Sequence, residues 1–147
     1  MAGERSFTSL GISRQDLELA WKDRLRDAEI LLEADRPAAS MAAALYALEI
    51  RLKALICMKL DLASLPRAFE FHYLDGLLVA SGLSRRLETK GAIKVKKNWD
   101  RVTELAQGLN EFRYMPDGKW RRADAAELLD QLTHPKIGVL TWLSKAR

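Results

Sequence analysis

The sequence predicts an all-α protein, an up-and-down bundle of four main helices with shorter helices between them. Three observations predict it. Apolar residues recur at three- and four-residue steps through most of the chain. Turn and breaker residues punctuate those segments at Arg36-Pro37, Leu65-Pro66, Ser81-Gly82-Leu83 and the Gly108–Gly118 stretch. Beyond a possible short strand over Ala92–Val95, nothing reads as a plausible strand.

The first helix is expected from about Ser13 to Asp35. Ser13 followed by Asp16 suits a capped start. Leu17, Trp21, Leu25, Ala28 and Leu32 share a face, and Lys22, Asp23, Arg26 and Glu33 lie on the other. The second is expected from Pro37 to Leu60, since proline fits a first helical turn. It is apolar nearly all round, which marks a central helix. The third is expected over His72–Ala80. Arg85–Lys90 is compatible with a short helix, which Gly91 interrupts. Asn98 has the chemistry of an N-cap for a helix beginning at Trp99. The last helix is expected from Arg121 or Ala123 to Lys145, kinked or split at Thr133-His134-Pro135 because proline removes a helical hydrogen bond.

At 147 residues the chain is the size of one domain. Residues 1–12 are expected to be a flexible terminus and residues 13–147 a single helical domain. Cys57 is the only cysteine, so no internal disulfide and no thiolate metal cluster can form. The two histidines, His72 and His134, do not form a metal-binding pattern either. No metal or cofactor is expected. Met1–Asp16 has no apolar core of a secretion signal, and charges interrupt the most apolar stretch. A cytoplasmic protein with no membrane partner is the expectation.

The net charge is +4, but its distribution says more. Between Ser84 and Arg101 there are seven basic residues against two acidic, so this segment is at +5 and the remainder is near −1. Arg85, Arg86, Lys94, Lys96 and Lys97 belong to that run. A second cluster interleaves Arg113, Lys119, Arg121 and Arg122 with Tyr114 and Trp120. Cations can track phosphates while aromatic rings stack bases, so both clusters are candidates for nucleic-acid binding. The competing reading is a solvated, solubilising face.

The central helix poses a separate question. Glu49, Arg51 and Lys53 fall within its apolar run. Glu49 and Lys53 are spaced to pair, and a buried Glu49 would need a cation, with Lys53 or Arg113 as candidates.

Tyr46, Ala47, Glu49, Leu52, Lys53 and Ala54, followed by His72 with Leu74, Leu77 and Leu78, resemble the HEPN superfamily, in particular its small bacterial members. Asn98-Trp99 and Arg113-Tyr114 add to the resemblance, which covers roughly residues 15 to 145. It implies a helical bundle, usually a homodimer. It also implies either binding of RNA or a nucleotide, or metal-independent endoribonuclease activity. The settings implied are toxin–antitoxin and phage-defence systems, with a cognate antitoxin or nucleotidyltransferase as partner. Arg67 and His72 have the spacing of the superfamily's catalytic arginine–histidine pair. They depart from it in having Ala68 after the arginine and in preceding the third helix rather than lying near the last. The alternative function is a helical adaptor or antitoxin that binds no nucleic acid.

Overall fold

Ser13 starts the first helix as its sequence suggests: its Oγ accepts the backbone N–H of Asp16 at 3.1 Å. The computed structural model describes residues 10–108, 111, 114 and 116–146. Among these it has six α-helices: α1 (Arg14–Glu33), α2 (Pro37–Lys59), α3 (Leu74–Ala80), α4 (Ile93–Ala106), α5 (Arg122–Thr133) and α6 (Val139–Lys145). No helix among the described residues is long and apolar enough to cross a membrane. The fold is all-α apart from one small antiparallel pair, β1 (Leu10–Ser13) with β2 (Ser64–Pro66). Composition did not signal this pair, because each strand is too short to show alternation.

α1 and α2 form a tight antiparallel hairpin. Asp35 ends α1 in the left-handed region (φ 55), a conformation aspartate tolerates, and Pro37 opens α2. Ser40 Oγ donates to the Ala28 carbonyl at 2.7 Å, so the two helices meet closely at small residues. Asp61 (φ 51) ends α2 in the same way, and Gly82 (φ 80) follows the end of α3.

α2 is the centre of the bundle. Of its 23 residues 17 are buried, and only the stripe through Ala39, Ala42, Tyr46 and Ile50 and the end at Met58 and Lys59 reach solvent. Leu45, Leu48, Leu52 and Ile56 are wholly enclosed, and α3, α5 and the leucines of α6 pack around them in one continuous core.

Three sequence expectations are corrected. Asn98 is not an N-cap; α4 already begins at Ile93, so Asn98 is inside it. Its side-chain N–H instead donates to the Ile137 carbonyl at 3.0 Å, tying α4 to the turn before α6. Ala92–Val95 is not a strand; Ile93 and Val95 are helical, with Val95 facing the core. His72 does not open a helix, since α3 starts at Leu74. The break expected at Thr133–Pro135 is a full split. His134 Nδ1 accepts the N–H groups of Lys136 and Ile137 at 3.1 and 3.2 Å, replacing the interrupted helical bonds. Gly138 is required there, because a Cβ would lie 2.5 Å from the His134 nitrogen.

Arg51 shows how α2 accommodates charge. Its side chain is only 2% exposed. The guanidinium lies 5.0 Å from the Trp21 ring centre, and Nη1 donates to Glu18 Oε1 at 2.8 Å. Glu18 Oε2 accepts the Trp21 indole N–H at 3.1 Å. One carboxylate of α1 therefore holds both a buried cation and the ring stacked against it. Glu18→Ala is predicted to cost about 2–4 kcal/mol in urea unfolding, because it removes the carboxylate paired with a buried cation. Replacing Glu18 and Arg51 together by Leu and Met should recover most of that loss, and a double variant no more stable than Glu18→Ala would contradict this account.

Candidate functional site

Glu49 also projects from α2 and is buried, with a side chain 8% exposed beside a Lys53 side chain 10% exposed. Lys53 Nζ donates to Glu49 Oε2 at 3.3 Å. The second carboxylate oxygen, Oε1, lies 2.9 Å from His72 Nδ1. Lys53 is thus the expected cation, and the pair is buried rather than on the surface. Arg113, the other candidate, lies outside the described residues.

A carboxylate only accepts hydrogen bonds, so the hydrogen of this contact resides on His72 Nδ1. Nε2 is then the atom His72 can offer elsewhere. The His72 side chain is 74% exposed, while the carboxylate that orients it is enclosed. His72, Tyr73 and Asp75 form one wall of a cleft of 160 Å³, and Thr103 of α4 and Gln107 just after its end form the other. Asp75 also accepts the indole N–H of buried Trp99 at 2.8 Å, which fixes α4 against the start of α3.

Arg67 lies in a 3-10 turn between β2 and His72, half-buried, 3.7 Å from Glu70 Oε2. No hydrogen bond or ion pair joins it to His72. The two expected catalytic residues share a connection, but each is oriented by its own carboxylate.

The basic residues divide between two faces of α4. Lys96 is on the face that continues to Thr103 and Gln107, at helical steps of seven and four residues. It is bonded to Asp100 at 2.6 Å, and that bond holds the ammonium pKa above its ordinary value. Lys94, Lys97, Arg101 and Glu104 follow one another at steps of three and four, which places them along a different face. Lys94 and Lys97 are exposed and have no acidic partner among the described residues.

That second face leads to a cavity of 280 Å³ between α4 and α5. Its walls include Arg101, Glu104, Trp120, Asp124, Glu127 and Gln131. Met41, Leu105 and Leu128 supply its apolar surface. The cavity therefore brings Arg101 of the first basic run together with Trp120 of the second cluster. Lys119 and Arg121 flank Trp120 in the chain and are exposed.

The other expected binding residues are elsewhere or already engaged. Arg86 donates to the Ala146 carbonyl and lines a separate pocket near Lys59. Arg85 is exposed on the same turn. Arg122 faces Glu33 of α1 at 3.8 Å. Tyr114 is exposed. Burial raises the Cys57 thiol pKa more than the nearby Arg14 charge lowers it, so Cys57 is poorly suited to act as a nucleophile. Trp142 is half-buried against the core of its own chain.

Sequence reasoning missed Glu18 as the partner of Arg51 and Glu49 as the partner of His72. These pairs are separated by 33 and 23 residues, and no local spacing signals them. No protein-family model matches the chain, and neither does any curated protein or any solved structure.

Glu49→Gln is predicted to destabilise the protein by about 1–2 kcal/mol, since buried Lys53 loses its counter-charge. His72→Ala should cost less than about 0.5 kcal/mol, because the imidazole is largely in solvent. Equilibrium unfolding of both variants checks the ordering, and a reversal would mean that His72 rather than Lys53 is the structural partner.

Proposed function

We propose that the protein is a HEPN-like domain that binds RNA or a nucleotide through the exposed face of α4 and the adjoining cavity. The observation that carries this reading is the convergence of Arg101 and Trp120 on one cavity, with Lys94 and Lys97 leading to it along the same helix face. Phosphates track the lysines, and an unstacked base enters beside the indole. Stacking on an aromatic side chain is worth about 1–3 kcal/mol per base, and neutralised phosphates add a salt-dependent share. Lys96 takes no part, being tied to Asp100 on another face.

Changing Lys94, Lys97 and Lys119 together to Gln should weaken binding of single-stranded RNA. It should also lower the dependence of log affinity on log salt by about one for each phosphate that is no longer neutralised. Lys96→Gln is the matched control and should change neither quantity. An unchanged affinity in the triple variant rejects the reading.

A second reading, metal-independent ribonuclease activity, is favoured by one observation: buried Glu49 holds Nδ1 of the exposed His72, which lines a cleft. An imidazole held in this way suits general acid–base catalysis, and Arg67 would stabilise phosphate charge. RNA cleavage should then persist in excess chelator and disappear in His72→Ala while helicity is retained. Cleavage that requires added magnesium eliminates this reading.

A further inference from the structure

We propose that the cavity beside Trp120 selects guanine, with Glu104 reading the edge of the base. The inference rests on the RNA-binding reading above and names the base that the site takes.

The cavity contains three carboxylates, and two of them are committed. Glu127 Oε1 faces Arg101 Nη1 and Gln131 Nε2, each at 3.4 Å. Asp124 Oδ2 accepts the backbone N–H of Arg121 at 2.8 Å, closing the start of α5. Glu104 has no hydrogen bond or ion pair with any described residue, although it lines the cavity one turn along α4 from Arg101. Gln131 also lines the cavity, but its Oε1 is enclosed and is not offered to a ligand. Its amide orientation follows from the bond of Nε2 to Glu127, and its buried Oε1 has no hydrogen-bond partner. The cavity thus has one carboxylate that no described residue engages, an aromatic wall and an apolar floor.

A carboxylate presents two acceptor oxygens side by side and no donor. Among the four RNA bases, guanine alone offers two adjacent donors on one edge, N1–H and the N2 amino group. Its O6, next to them, is an acceptor suited to the Arg101 guanidinium. Adenine and cytosine offer one amino group beside a ring nitrogen that would face the carboxylate lone pairs. Uracil offers a single N–H between two carbonyls, which the carboxylate repels. Ligand pockets run from about 300 to 1,000 Å³, so 280 Å³ is room for one base and not for a run of them. The lysines along α4 hold the neighbouring phosphates without regard to sequence.

The test measures fluorescence anisotropy with labelled RNA octamers: octauridylate, the same octamer with one central guanine, and a third with inosine in place of that guanine. The guanine octamer should bind about tenfold tighter than octauridylate, the range of one bidentate base contact. Inosine, which lacks the amino group, should lose a large part of that gain. Glu104→Gln should abolish the guanine preference, bringing the guanine and uridine octamers to the same affinity, and preserve the circular dichroism spectrum. Equal affinity for the guanine and uridine octamers overturns guanine selection while leaving RNA binding intact. A guanine preference that survives in Glu104→Gln overturns it equally. If no octamer binds in a salt-dependent way, the RNA-binding reading fails and this inference fails with it.

Discussion

The structure depends on α2 being buried along most of its surface, with three charged residues inside. A helix must satisfy any charge it buries inside the protein, since unpaired buried charge is too costly to keep. Glu49, Arg51 and Lys53 are therefore constraints on everything packed against them. Arg51 requires α1 to present Glu18 and Trp21 at one level of the bundle, which sets how α1 lies along α2. Glu49 requires Lys53 one turn on, and it reaches His72 in the connection between β2 and α3. Two neighbouring segments are thus positioned by three residues of the central helix. Apolar packing supplies most of the stability, but it is tolerant of small shifts between helices. The charged pairs are directional and fix one arrangement.

α4 divides the candidate chemistry. One face, through Lys96, Thr103 and Gln107, turns toward the His72 cleft. The other, through Lys94, Lys97, Arg101 and Glu104, turns toward the Trp120 cavity. The net charge of the segment gave no hint of this division, because a count over residues 84–101 adds together side chains that point in different directions. Lys96, Arg101 and Arg121 each face an acidic neighbour within 4 Å, so the exposed positive potential is narrower than the sequence implies.

The fold was largely legible because its evidence is local. Helical periodicity identified α1 and α2 nearly to their ends, and Pro37 and Ser13 marked their starts through chemistry that acts within one turn. Errors arose where tertiary contacts outweighed local preference. Asn98 has capping chemistry, yet Val95 and Trp99 are both buried, and a helix begun at Ile93 places them on one side. His72 looked like a helix opener, but its contact with Glu49 holds it in the connection before α3. The candidate sites were legible as residue types and not as assemblies. Trp120 stood out for its basic neighbours, whereas nothing in the chain signals that Glu104, 16 positions earlier, faces the same space.

The two candidate functions make different demands on an RNA strand. A strand following Lys94 and Lys97 toward Arg101 runs along the side of α4 that leads to Trp120. It does not meet His72, whose cleft opens on the side shared with Thr103 and Gln107. Binding on the basic face therefore does not by itself deliver a phosphodiester to His72. A ribonuclease acting at His72 would need its strand to approach across the end of α4, with charge supplied by Arg67 rather than by the lysines. In the cleft that charge is scarce: Asp75 is already in its wall, and buried Glu49 directs its negative charge at the imidazole. Among the described residues, exposed lysines and an aromatic-walled cavity with an unengaged carboxylate coincide on the Lys94–Arg101 side of α4. That coincidence makes binding, rather than cleavage, the simpler use of this surface.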